Sequence, residues 1–211
     1  MTDPEFDTEF RDQLNALFRW RRDVRRFQTT PVDEDLLDRC LQTIPHAPSV
    51  GLSEPWRVVR VSSKTARAAA LKNFETANEA ALAGYSGEDA ELYASLKLSG
   101  MRDAPVQLAI FCDEDTVQGK GLGAGTMPEM RRYSVVAAIM QFWLSARAVG
   151  LGVGWVSILD APQLSRDLDC PEGWKLVAYL CIGWPEKDTE TPELVKAGWE
   201  SRTPTLDIED R

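Results

Sequence analysis

The chain has 211 residues, 44% of them hydrophobic and 27% charged, and a net charge of −9. That balance suits one folded domain burying roughly 70–75% of its unfolded surface without a metal or disulfide staple, and it excludes wholesale disorder. An acidic chain is also poorly matched to nucleic acid or an anionic membrane, so neither is expected as a partner.

Taken in order, the acidic terminus 1–7 lacks the apolar stretch of a secretory signal. Glu9–Trp20 reads as an amphipathic helix running into an arginine cluster, Arg19–Arg26. A second helix fits Asp33–Ile44, with Pro31 before it and Pro45 as its stop. A Pro/Ser/Gly loop, His46–Pro55, leads to a β-rich run, Trp56–Val61. Ser62 or Ser63 would cap a helix reaching Ala81. After a break at Gly84–Glu88 a further helix extends to Ser99, and Ala104–Cys112 reads as a buried strand. Asp113–Gly125 is a loop, either a lid or a plain connection. Thr126-Met-Pro-Glu129 then has capping-box form ahead of a helix to Ala148. Leu151–Leu159 is a strand, Asp160 caps a short helix to Leu168, and Lys175–Gly183 is a third strand. From about residue 184 the chain is a polar tail, with a short helix at Pro192–Glu200. This order predicts a single α+β domain over 1–211, a three-layer α/β/α sandwich.

The longest stretches free of Asp, Glu, Lys and Arg are Cys40–Ser53 and Tyr133–Ala146, 14 residues each, whereas a membrane span wants about 18 or more. Tyr133–Ala146 is nearly apolar on every side of its helix, which predicts burial all round, either in a large core or, as is favoured in so short a chain, in an oligomer interface. Cys40, Cys112, Cys170 and Cys181 are far apart, as free thiols in a reducing cytosol would be, so a cytoplasmic protein is expected. His46 is the lone histidine and is assigned no role. That weighs against a histidine metal site and against Ser-His or Cys-His catalysis, and no metal is expected. A bound cofactor would carry the chemistry.

Three constellations could serve such a cofactor. Five arginines, at 19, 21, 22, 25 and 26, crowd into eight residues around Asp23. Guanidinium groups suit bidentate capture of phosphate, although a solvated basic face is the competing reading. His46–Trp56 carries two fixed prolines, Pro48 and Pro55, the hydroxyls of Ser49 and Ser53, and Gly51. It is either a rigid ligand-lining loop or a simple connection. Gly150-Leu-Gly-Val-Gly-Trp-Val-Ser-Ile158 follows a helix and enters a strand, the reverse of a dinucleotide fingerprint. Its glycines would instead let the strand pass close to a neighbouring backbone or a planar ligand.

Arg21-Arg-Asp-Val-Arg25, Ala47-Pro-Ser-Val-Gly51 with Pro55-Trp56, and Gly150–Ile158 together resemble the nitroreductase superfamily of FMN proteins. Thr126–Glu129, Tyr133-Ser134 and Gly198-Trp-Glu-Ser-Arg202 fit the same pattern. Asp23, where ordinary members usually carry Ser, together with Ser157, resembles the flavin-consuming branch. The resemblance implies a mixed central sheet, a long buried dimer-interface helix, and a homodimer with flavin at the subunit boundary. It implies oxygen-dependent fragmentation of reduced FMN to 5,6-dimethylbenzimidazole, the lower ligand of vitamin B12, with dioxygen as co-substrate and a flavin reductase as supplier. The alternative on the same fold is an NAD(P)H-dependent nitroreductase or flavin reductase. Carried over residue by residue, Arg21, Arg22 and Arg25 would hold the phosphate and ribityl end, with Val24 between them and Arg202 as a further phosphate contact. Pro48 and Ser49 would line the flavin, and the main chain of Val156 and Ser157 would bond its ring. Asp23 and Ser157 would be catalytic. Glu54 stands where relatives usually have Gln, and Ala124-Gly125 where many have Arg. These departures bear on the ring's charge and on lid closure.

Overall fold

In the computed structural model, which describes residues 4–96, 99–203 and 205–211, four strands form one sheet. They are β1 (Trp56–Arg60), β2 (Val106–Asp113), β3 (Gly152–Val156) and β4 (Trp174–Gly183), in the order β1-β2-β4-β3. Every strand pair is antiparallel. The expected mixed character reduces to one isolated parallel bridge, Asp23 to Val153.

The two central strands are apolar on both faces, and period-2 alternation divides their side chains between two cores. Leu108, Ile110 and Cys112 of β2, with Ala178, Leu180 and Ile182 of β4, face one layer. That layer holds α2 (Glu34–Leu41) and α6 (Met130–Ala148). Ala109, Phe111, Tyr179 and Cys181 face the other, where α3 (Lys64–Leu82), α5 (Gly100–Asp103) and α7 (Ala161–Asp167) pack. The result is the expected three-layer sandwich. Outside it lie α1 (Thr8–Trp20), which buries no residue fully, α4 (Gly87–Ser95), and the single turn α8 (Glu193–Lys196).

Local chemistry sets most boundaries. Asp7, Asp33, Ser63 and Asp160 each accept an orphan amide at the start of α1, α2, α3 and α7. Other expectations are corrected. Thr126 caps nothing: its hydroxyl donates to the Gly123 carbonyl at 3.1 Å, and α6 starts only after Glu129, without a side-chain cap. The strand expected to reach Leu159 ends at Val156, so Ser157 lies outside the sheet. The helix expected at Pro192–Glu200 is one turn, ended at Gly198 with φ 76°. The helix expected to reach Ser99 ends at Ser95, and residues 97–98 lie outside the described residues, as do 1–3 of the acidic terminus. Cys40, Cys112 and Cys181 are buried free thiols, and Cys170 is half-buried.

The largest departure concerns α6. Val135, Ala138, Ile139, Phe142 and Ala146 enter the core, but Tyr133, Val136 and Met140 on the opposite face are 55%, 39% and 38% exposed. Within one chain the helix is buried on one side only.

Candidate functional site

The arginine segment lies along the outer edge of β3. The Val24 amide donates to the Val153 carbonyl at 3.0 Å, and the Trp155 amide donates to Asp23 Oδ1 at 2.9 Å. The glycines of β3 make this approach possible. A Cβ on Gly154 would sit 2.1 Å from the Val24 carbonyl oxygen, and one on Gly152 would sit 2.8 Å from Val24 Cγ2. Of the two partners left open for that glycine run, the structure selects a neighbouring backbone.

The polar tail folds back over this segment. The Gln28 amide donates to the Trp184 carbonyl at 2.9 Å, and the Glu186 amide donates to the Arg26 carbonyl at 3.1 Å. Between tail and segment lies a cavity of about 280 Å³ whose walls include Arg21, Arg22, Asp23, Ser201 and Arg202. Burial, and then the nearby Arg202 charge, lowers the Arg22 guanidinium's affinity for its proton. Burial likewise lowers that of Arg21, with Asp23 opposing and Arg202 adding to the effect. Arg21 lies over the Trp143 ring at 5.0 Å, and Arg22 donates to the carbonyls of Arg21 and Glu190 at 2.6 Å. Among the described residues Arg21, Arg22 and Arg202 form no ion pair, whereas Arg25 pairs with Asp23 at 3.6 Å and Arg26 with Glu193 at 3.3 Å. Three arginines without an ion pair among the described residues share this pocket with the carboxyls of Asp23 and Glu200, and the excess of guanidinium groups suits it to an anion.

Asp23 is the hub of this site. Its side chain is 39% exposed through the open mouth but otherwise surrounded by protein. That desolvation raises its carboxyl above the usual range, against the opposing pull of the Trp155 amide, Arg25 and Arg21. Behind it, a space of about 10 Å³ lies among Val24, Gly154, Met101 and Cys181. Ser157 follows the end of β3, exposed to solvent, with its carbonyl accepting from the Leu159 amide at 3.0 Å. Val156 is buried and pairs with Tyr179 of β4.

Pro48 and Ser49 lie elsewhere in the chain. They precede a 3-10 turn, Val50–Leu52, whose Val50 amide donates to Ser134 Oγ at 3.0 Å near the start of α6. The arginine segment meets the far end of that helix, where Arg21 covers Trp143 and Trp20 covers Arg147. At 1.5 Å per residue the two contacts are about 14–20 Å apart along the helix axis. One chain therefore does not bring the proline–serine pair to the arginines.

The loop beyond β2 is docked onto this same turn. Gly119 (φ 79°) and Gly51 (φ 58°) meet backbone to backbone, and a Cβ on Gly119 would lie 2.6 Å from the Gly51 carbonyl oxygen. Gln118 Nε2 donates to the Leu52 carbonyl at 2.8 Å and to Glu54 Oε2 at 3.2 Å. The Glu54 carboxylate is thus engaged by this loop.

Sequence reading missed Trp143 and Arg147. Trp143 is hidden in an apolar run. Arg147 was detectable as the charge that ends that run: it is 6% exposed, donates to Asp188 at 2.7 Å and stacks on Trp20.

The Nitroreductase family model matches residues 18–184. A 5,6-dimethylbenzimidazole synthase of Rhodospirillum rubrum is 55% identical over 203 residues, covering 96% of each chain. One from Rhodobacter capsulatus is 48% identical over 200 residues, covering 95% of this chain and 97% of its own. Among solved structures, an iodotyrosine deiodinase bound to FMN and 3-iodo-L-tyrosine superposes with a TM-score of 0.72 at 20% identity, covering 94% of this chain and 97% of that one. At that identity the likeness is one of fold. The glycine-lined strand, the arginine segment beside it and the near full-length relatives agree: the chain belongs to the nitroreductase family and is similar throughout to its 5,6-dimethylbenzimidazole synthases.

Proposed function

We propose that this enzyme converts reduced FMN, with dioxygen, to 5,6-dimethylbenzimidazole. The observation that carries the reading is Asp23, a desolvated carboxyl hydrogen-bonded to Trp155 at the mouth of a three-guanidinium pocket. A phosphate fits the pocket: it would neutralise Arg21, Arg22 and Arg202, whose charges otherwise oppose one another. The names borne by the relatives that are 55% and 48% identical support the same activity.

Bound reduced FMN supplies both the electrons for dioxygen and the carbon skeleton of the product. The chain's own residues supply the rest. Arg21, Arg22 and Arg202 hold the phosphate, and Arg25 keeps Asp23 oriented through their ion pair. A carboxyl with a raised proton affinity is better suited than an ordinary one to hold and move a proton, which is the role assigned to Asp23 at its Oδ2. Ser157, just past β3, is assigned to the ring's edge, where its hydroxyl would face the reacting part of a bound flavin.

The enzyme acts as a homodimer in this reading. The exposed face of α6, with Tyr133, Val136 and Met140, would meet the same face of a second copy. Antiparallel pairing would carry the partner's turn at 48–49 toward the arginines, completing a flavin site that one chain leaves divided. A separate flavin reductase would supply reduced FMN.

The test is an aerobic incubation with chemically reduced FMN, followed by mass spectrometry. Dimethylbenzimidazole should accumulate as FMN disappears. Rapid NAD(P)H oxidation with a nitroaromatic acceptor, leaving FMN intact over many turnovers, would identify a nitroreductase instead.

A further inference from the structure

The C-terminal tail reaches the anion pocket through an aromatic contact. Tyr85, in the connection between α3 and α4, stacks on Tyr93 of α4 with ring centroids 4.8 Å apart. Trp199 meets Tyr85 edge-on at 5.7 Å and Tyr93 at 6.3 Å. Tyr93 is tied in turn to α3, its hydroxyl donating to Asn78 Oδ1 at 3.0 Å. On the tail's side the backbone is turned by Gly198 at φ 76°, and the Trp199 amide closes the turn by donating to the Leu194 carbonyl at 2.9 Å. Beyond this anchor the chain runs directly into Ser201 and Arg202, which line the pocket shared with Arg21 and Arg22. Arg202 has no ion pair among the described residues to fix it there. It is close enough to Arg21 and Arg22 to depress both, so without an anchor repulsion would favour its leaving.

We propose that Trp199, clasped by Tyr85 and Tyr93, is a positioning residue that holds Arg202 against Arg21 and Arg22 and so sets selectivity for a phosphorylated flavin over its dephosphorylated form. An aromatic contact is suited to this task because it is insensitive to charge. It can hold a cation beside two others where a carboxylate anchor would compete with the ligand. The proposal rests on reading the three-guanidinium pocket as the phosphate site.

The experiment titrates oxidised FMN and riboflavin separately, by fluorescence quenching, into the full-length protein and its variants. Arg202→Gln should weaken FMN binding about ten-fold, the scale of one charge-assisted hydrogen bond, and leave riboflavin unchanged. Trp199→Ala should reproduce that selective loss, the double variant should be no worse than Arg202→Gln alone, and Trp199→Phe should retain most of the wild-type ratio. Tyr85→Ala, which loosens the clasp from a half-exposed position outside the pocket, should shift the ratio in the same direction, and it remains informative if Trp199→Ala does not fold. Equal weakening of both flavins by the Trp199 and Tyr85 variants, or full additivity with Arg202→Gln, would overturn the positioning role. If Arg202→Gln shifts the ratio and the clasp variants do not, only this inference falls. If Arg202→Gln leaves the ratio at the wild-type value, the phosphate reading of the pocket falls with it.

Discussion

Asp23 carries two opposed demands. Surrounding protein disfavours its charge, while the Trp155 amide, Arg25 and Arg21 favour it, and burial prevails. Asp23→Asn retains an oxygen to accept from Trp155 but loses the proton-holding group. The fold and oxidised-FMN affinity should persist, the latter within about three-fold, while dimethylbenzimidazole formation falls about 100-fold, within the usual range for a lost acid–base group. Ser157→Gly should likewise spare binding and cut product, because the hydroxyl is solvent-facing and supports no packing. Wild-type yield in both variants would contradict the assignment. The raised carboxyl also has a consequence for stability. In the flavin-free protein the folded state holds this proton more tightly than the unfolded chain does. Stability contributed at Asp23 is therefore present at acid pH and lost as pH rises from the ordinary value of 3.8 through the raised one. Relative to Asp23→Asn, wild-type Tm should fall over that interval and then level off. A wild-type Tm that gained on the variant with rising pH would mean that Arg25 and Arg21 outweigh burial.

At the level of elements, the contact between β3 and the arginine segment depends on missing side chains. Gly154→Ala would place a methyl 2.1 Å from a carbonyl oxygen, so one backbone must move. Overpacking of this kind costs about 1–3 kcal/mol, or a Tm loss of about 2–12 °C for a chain this long. Oxidised FMN should bind more weakly because Asp23 and Trp155 are drawn apart. An unchanged Tm and affinity would mean that the segment is not held by this strand. This strand was legible in the sequence because Gly-x-Gly-x-Gly in an apolar run has few other uses. The apolar runs of β2 and β4, the cap at Asp160 and, to within one residue, the cap at Ser63 were legible for equally local reasons. Other features were not. Thr126 has the right spacing for a cap, but the Gly123 carbonyl takes its hydroxyl instead. The fold-back of the tail rests partly on backbone bonds from Gln28 and Glu186, which leave no trace in side-chain identity, and partly on Arg22, Arg26 and Arg147, whose partners lie too far along the chain for a local pattern to announce. The position of Trp199 depends on Tyr85 and Tyr93, more than one hundred residues away, and no local pattern announces such a contact.

For the whole molecule, the decisive feature is the separation of the two halves of the site along α6. An apolar helix pattern cannot by itself distinguish burial in a core from burial by a partner. The structure separates them: one face is packed, and the other presents Tyr133, Val136 and Met140 to solvent. If the turn at 48–49 reaches a flavin only across a two-fold axis, assembly and binding must fail together. Val136→Glu combined with Met140→Glu places a charge on the exposed face while leaving the core contacts of Val135, Ile139 and Phe142 in place. Secondary structure by circular dichroism should be retained, whereas sedimentation should report a shift from dimer to monomer. The monomer should bind oxidised FMN at least ten-fold more weakly, since it keeps the arginines but loses the partner's Pro48 and Ser49. Raising the protein concentration should restore dimer and flavin affinity in parallel. A monomeric variant with undiminished flavin affinity would show instead that a single chain holds the complete site, and the turn at 48–49 would have no place in it.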